Sequence, residues 1–228
     1  MKTILITGTS KGIGHYLANY YLEKEYKVIG CSRRNSNIDH PNFTGFCLDI
    51  TDEKSVKSMF STIDSLDVLI NNAGVASMNS ALLTSTDRVR EITEVNFIAT
   101  FITCREAVKI MMQRNTPGRI INFSTIAVPL NLSGEAAYAG SKAAVESFTK
   151  ILSKEISKFN ITANVIGPCM INTDLLRNVP ASKIEKILIL QSISTYAEFD
   201  DVSNVIDFFI DDKSKMITGQ VIYLGGII

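Results

Sequence analysis

Tyr138 and Lys142 stand four residues apart in the segment YAGSK, a spacing that puts two side chains on one face of a helix. A phenol titrates at about 10, and a neighbouring ammonium favours the phenolate, each unit of depression being worth about 1.4 kcal/mol. A tyrosine so placed can exchange a proton with a substrate oxygen near neutral pH, as a general acid or base does. Upstream, a hydroxyl pair, Ser124-Thr125, ends a strand-like run. The same four-residue spacing recurs at Tyr20 and Lys24. That pair falls on a helix whose second turn points away from the active end of the sheet, and it reads as surface and packing.

A second chemical feature lies near the N-terminus. TGTSKGIG, residues 7–14, follows the first apolar run and opens a helical one. Gly8 permits a tight turn, Gly12 lets backbone amides approach a pyrophosphate and Gly14 allows close helix packing, with Ser10, Lys11 and Ile13 between them. The spacing is Gly-x-x-x-Gly-x-Gly rather than Gly-x-Gly-x-x-Gly, and an ordinary glycine-rich turn is the plainer alternative. In a dinucleotide fold an acid after the second strand would bind the adenosine ribose 2′-hydroxyl. Here that place reads Cys31-Ser32-Arg33-Arg34. Arginines match a 2′-phosphate, and Lys11 adds a cation, so the expectation is NADP(H) over NAD(H). A solvated basic turn is the competing reading.

Positioning these groups takes a scaffold, and the chain shows its pattern. Strand-like runs at 3–8, 27–32, 43–49, 67–74, 118–125, 161–168 and 220–226 alternate with helical spacing near 12–24, 52–63, 87–113, 135–158, 181–192 and 200–210. Several runs are almost wholly apolar, as in a parallel sheet covered on both faces. The predicted fold is α/β, a doubly wound Rossmann-type parallel sheet of seven strands flanked by helices, forming one domain over 1–228. Such sheets bind ligands beyond the carboxyl ends of their strands. Gly8, Ser32, Asp49, Asn71 to Gly74, Ser124-Thr125 and Gly167-Pro168 all gather there.

Bulk properties narrow the classes. The 228 residues carry 23 basic and 23 acidic side chains, a balance that argues against nucleic acid or an anionic membrane as partner. Four scattered cysteines without C-x-x-C and only two histidines argue against a metal site and fit a reducing compartment. No apolar run of about eighteen residues or signal peptide is read, so a soluble cytoplasmic protein is expected.

TGTSKGIG, the NNAG at 71–74, Asn96, Ser124-Thr125, YAGSK and the Gly-Pro turn at 167–168 occur in the order seen in the short-chain dehydrogenase/reductase superfamily. The chain resembles its compact single-domain branch, which includes β-ketoacyl-ACP reductase, through to TGQVIYLGG at 218–226. The resemblance implies Tyr138 as general acid of carbonyl reduction, Lys142 as the residue that lowers its pKa and holds the nicotinamide ribose, and Asn96 as anchor of a water in the proton relay. It further implies that Asn72, Ala73 and Gly74 line the cofactor, that Asp49 and Ile50 contact adenine, and that Pro168, Ile171 and Thr173 lie at the nicotinamide.

Two departures stand out. Thr125 takes the place of the substrate-orienting serine and keeps the hydroxyl, while the adjacent Ser124 is turned to the other face by strand alternation. Cys169 stands where the family has glycine and is expected to narrow the nicotinamide pocket or stiffen its loop. The expected activity is NADP(H)-dependent hydride transfer between nicotinamide and a small carbonyl substrate, a ketone or 3-oxoacyl compound, or the corresponding secondary alcohol. The alternative is a catalytically impaired NADP-binding regulatory or scaffold protein. A nucleotide-sugar epimerase would need a larger C-terminal domain. Substrate specificity is expected in 75–87 and 174–199, where Ile184, Ile187, Leu188 and Leu190 either cover a substrate or pack as a lid. The family habit implies a homodimer or homotetramer through the helices 87–113 and 135–158 and the last strand.

Overall fold

Each near-continuous apolar run becomes a strand. In the computed structural model, which describes residues 1–172 and 181–227, β1 is Thr3–Thr7, β2 Lys27–Ser32, β3 Phe43–Cys47, β4 Val68–Asn71, β5 Gly118–Phe123, β6 Ile161–Gly167 and β7 Val221–Tyr223. They form one seven-stranded sheet in the order β3-β2-β1-β4-β5-β6-β7, every neighbouring pair parallel. The order reverses between β1 and β4, which leaves a crevice beyond their carboxyl ends.

Alternation along the strands sends side chains to two layers. Ile4 and Ile6 of β1, with Val68 and Ile70 of β4, pack under Leu17, Tyr21, Val202, Ile206 and Phe209. Leu5 and Leu69 face the other way, against Val56, Met59, Ile102, Met111 and Leu152. The first layer belongs to α1 (Gly12–Glu23) and α7 (Phe199–Ile210), the second to α2 (Glu53–Ser61), α4 (Ala99–Arg114) and α5 (Ala136–Ile156). Truncating one of these buried leucines to alanine costs about 2–5 kcal/mol.

The predicted helix over 87–113 is not continuous. α3 (Thr86–Thr93) passes into a π-helical turn, Glu94–Ile98, before α4 begins. The cause is Asn96. It is fully buried, its Oδ1 accepts from the Val75 amide at 2.8 Å, and its Nδ2 donates to the Val75 carbonyl and to Ser141 Oγ, each at 3.0 Å. Seating a short amide against both groups of a loop residue takes an extra residue in the helical turn, and π-bulges of this kind favour functional sites. α6 (Ala181–Ile189) crosses above the strand ends. Thr173 and the segment 173–180 lie outside the described residues.

Candidate active site

The phosphate loop is built as its glycines require. Gly8 and Gly12 have φ of +82° and +60°. A Cβ on Gly14 would meet the Gly8 carbonyl oxygen at 2.3 Å, so only glycine lets α1 come this close, while the space over Gly12 is open for 4 Å. Lys11 is the N-cap of α1 and offers no side-chain cap, and the first turn carries no acid. The first-turn amides and the positive helix end therefore face that open space, which fits a pyrophosphate. Thr9 Oγ1 and Ser36 Oγ, 2.7 Å apart, tie the loop to the segment after β2, and Ser32 Oγ donates to the Arg34 carbonyl at 2.6 Å. Arg33 and Arg34 stand exposed there. Asp49 accepts from the amide and hydroxyl of Thr51 at 3.0 and 2.8 Å, which holds its carboxyl below the ordinary range, with Arg33 adding to the effect. Ile50 packs on the core beside it.

β4 is stitched to β1 at the crevice. Thr7 Oγ1 accepts from the amides of Asn72 and Ala73 at 3.1 and 2.9 Å, and Asn72 Nδ2 donates to the Thr7 carbonyl at 2.9 Å. Asn71 turns into the core instead, donating to Asn122 Oδ1 at 2.9 Å. A Cβ on Gly74 would lie 3.1 Å from Asn96 Oδ1 and 3.5 Å from Lys142 Nζ, so a side chain here would press on Asn96. Asn96, Gly74 and Lys142 thus meet at one point.

Tyr138, Thr125 and Lys142 come together on the wall of one cleft of about 500 Å³, whose lining also includes Ile13, Asn72, Pro168 and Ile171. Lys142 is buried and donates to the Phe123 carbonyl at 2.8 Å. Burial alone brings its ammonium down to about 8. The expected depression of the phenol is corrected by the structure. Burial pushes Tyr138 up to about 12, a hydrogen bond with Thr125 works against it, and Glu135 adds to the rise. Desolvation is the largest of the three effects. Ser141 Oγ donates to the Tyr138 carbonyl at 2.7 Å and accepts from Asn96, so the π-turn braces the start of α5.

The hydroxyl pair divides. Thr125 faces the cleft and Tyr138. Ser124 donates its hydroxyl to Glu146, which also accepts from Tyr223 at 2.7 Å. Ser124 lines the cleft as well, and through Glu146 it braces β5 against α5. Glu146 was not singled out from the sequence, although it continues the four-residue step from Tyr138 through Lys142. Glu135, one turn before Tyr138, lines the cleft and was also missed, because an acid at a helix start reads as a cap. Tyr20 and Lys24 are engaged elsewhere, each bonded to Asp207 on α7, at 2.6 and 2.5 Å. Cys169 lines the cleft, and its Cβ lies 3.1 Å from where one on Gly225 would lie. Ile184 and Leu188 pack over Ile126, Cys169 and Met170, and Ile187 also lines the cleft. Leu190 is more than half exposed.

A family model described as short chain dehydrogenase matches residues 2–184. The 3-oxoacyl-[acyl-carrier-protein] reductase FabG of Rickettsia felis is 33% identical over 99% of this chain and 95% of its own length. The FabG of Escherichia coli is 28% identical over 99% and 96%. Among solved structures, 4-hydroxyisoleucine dehydrogenase complexed with NADH has a TM-score of 0.89 at 31% identity, covering 99% of this chain and 98% of the other. ElxO with NADP bound has a TM-score of 0.88 at 27% identity, covering 98% and 96%.

Proposed function

The chain belongs to the short-chain dehydrogenase family, whose members are oxidoreductases acting between a CH–OH group and a carbonyl, and from that premise we propose that it is a cytoplasmic NADP(H)-dependent reductase of small ketones or 3-oxoacyl compounds. The observation that carries this reading is the meeting of Tyr138, Thr125 and Lys142 on the wall of one cleft. The bound nicotinamide would supply the hydride. Its pyrophosphate would rest on the amides from Ser10 to Gly14, its adenosine on Ser32, Asp49 and Ile50, and its nicotinamide end between Asn72 to Gly74 and Pro168, Ile171 and Thr173.

Thr125 and Tyr138 would bind the substrate carbonyl oxygen from two sides. Tyr138, protonated throughout the neutral range, is ready to give its proton to that oxygen, and in reverse its phenolate would take one. Lys142, with its proton held at about 8, would restore the proton to the phenol. Asn96 keeps Gly74 and the start of α5 in place around it.

The cofactor preference rests on Arg33 and Arg34, exposed after β2 with no acid nearer in that segment than Asp39. The relatives divide on this point, one structure being an NADH complex and the other NADP-bound. Kinetics with both cofactors test it, and a higher kcat/KM with NADH would reject it. Association into a homodimer or homotetramer through α4 and α5 is part of the proposal.

Tyr138→Phe tests the whole reading. Oxidation of NADPH by a panel of ketones, 3-oxoacyl thioesters and quinones should fall by about 10²–10⁴, with NADPH fluorescence on binding retained. An active Tyr138→Phe protein would refute the assignment of the acid.

A further inference from the structure

Among the described residues lining the cleft, Glu135 is the only carboxylate. It is the N-cap of α5, where a short polar side chain ordinarily accepts a hydrogen bond from a first-turn amide. Here it makes no such bond, whereas Asp52, Ser85 and the Glu198–Asp201 box each close the helix they begin. The residue is 7% exposed, and its Oε2 is buried without a hydrogen-bond partner among the described residues. Buried carboxylate oxygens in folded proteins nearly always find a donor. The side chain leaves the first-turn amides unbonded and lines the cleft, with Oε2 enclosed. Three residues along the helix stands Tyr138, at a spacing that puts Cβ atoms about 5–6 Å apart. A substrate whose carbonyl oxygen lies on Tyr138 therefore reaches Glu135 with groups a few bonds away.

We propose that Glu135 is a specificity-determining residue that accepts a hydrogen bond from a hydroxyl borne by the substrate a few bonds from its reacting carbonyl, so that the site takes hydroxyketones, or the matching diols, in preference to plain ketones. The proposal rests on the reductase reading above. Burial raises Glu135 to about 7 against the pull of Lys183, which approaches from α6. Glu135 in turn raises the nearby Tyr138 phenol. Both forms of the carboxyl are thus present near neutrality, and a hydroxyl, which donates and accepts, satisfies either. An ammonium at that place would enter a cleft that already holds Lys142 and the field of Lys183. A substrate carboxylate would meet Glu135 itself. The neighbouring Met78 and Leu132 offer apolar wall to a carbon skeleton.

The test is a matched series of methyl ketones with and without a hydroxyl on the first, second or third carbon from the carbonyl, assayed by NADPH oxidation in the wild type, Glu135→Leu and Glu135→Gln. A hydroxyl at the favoured position should raise wild-type kcat/KM by about tenfold or more, the value of one buried hydrogen bond recovered. That ratio should collapse to near one in Glu135→Leu and largely survive in Glu135→Gln, whose amide oxygen still accepts. A purely structural role for Glu135 would lower both members of a pair together and leave the ratio intact. Melting followed by circular dichroism identifies a misfolded Glu135→Leu, in which case the ratio in Glu135→Gln and in Glu135→Ala decides. Ketones turned over with no advantage from any hydroxyl would overturn the proposal and leave the reductase reading standing. A stronger preference for an aminoketone or a 3-oxoacyl thioester that depends on Glu135 would also overturn it. No turnover of any carbonyl would defeat the reductase reading itself.

Discussion

Tyr138 has to be an acid in one direction and a base in the other, and its surroundings favour the acid. With the phenol raised to about 12, it stays protonated from pH 6 to 9, and the phenolate fraction grows about tenfold per pH unit over that range. Alcohol oxidation, which needs the phenolate, should therefore rise with pH at a log–log slope near one. Carbonyl reduction should stay flat until Lys142 loses its proton at about 8 and then decline. Initial rates in both directions across one buffer series check this, and an oxidation rate flat between pH 7 and 9 would contradict it. Thr125 admits a sharper test. Thr125→Ser keeps the hydroxyl and should hold kcat/KM within about threefold, whereas Thr125→Val keeps the shape without it and should lose about 10- to 100-fold, the value of one or two hydrogen bonds at the reacting oxygen. Equal losses in the two variants would assign Thr125 to packing. These roles were legible in the sequence because hydroxyl, phenol and ammonium fall at fixed offsets from strand and helix ends. The direction of the Tyr138 shift was not, since desolvation depends on how residues distant in sequence are brought around the cleft. Glu135 was hidden by the same limit, because a cap and a turned-in carboxylate have identical sequences.

The elements themselves were readable almost to the residue. Seven apolar runs became seven parallel strands because both faces of the sheet are covered, so no alternation had to be decoded. The ends overran where apolar or glycine residues continue past the strand, as at Gly74 and Gly225. The π-turn at Glu94–Ile98 was invisible, since nothing in EVNFI breaks helical spacing. Its determinant is tertiary, the grip of Asn96 on both backbone groups of Val75. Asn96→Ala would leave the part-buried amide and carbonyl of Val75 without this partner and would take one of the two bonds of the Ser141 hydroxyl, which keeps the Tyr138 carbonyl. The expected cost is about 2–4 kcal/mol, or a fall in Tm of about 5–15 °C by calorimetry. Because Ser141 holds the Tyr138 carbonyl, kcat should fall as well at temperatures where the variant is fully folded. A variant as stable as the parent would show that the π-turn is held by α3 and α4 rather than by Asn96.

At the scale of the whole molecule, the unsettled feature is what covers the outer faces of α4 and α5. Phe101 is 42% exposed and Ile151 is 56% exposed. Phe148 lies between the helices, its ring centroid 5.2 Å from that of Phe101 and 6.1 Å from that of Phe97. Aromatic and β-branched side chains grouped on two packed helices make a patch that a monomer gains nothing by exposing, and burying it against a symmetry mate yields the isologous pairing of a two-fold dimer. The same face carries the polar cluster of Glu53, Arg105, Glu106 and Lys109, with Arg105 at 2.7 Å from Glu53 and 2.8 Å from Glu106. Ion pairs of this sort form a rim around an apolar centre, as interfaces have. The proposed self-association therefore predicts that the wild type elutes and scatters light as a dimer or tetramer. Phe101→Glu combined with Ile151→Glu would place carboxylates on that centre and shift the protein to a monomer mass. α5 also carries Tyr138 and Lys142 near its start, so loss of the partner helix should loosen the site and lower kcat more than NADPH affinity. A wild type that is monomeric at all concentrations would remove the assembly from the proposal and leave the chemistry of Tyr138 untouched. A double variant that stays assembled would move the interface to another face, with the exposed edge of β7 the next to be tested.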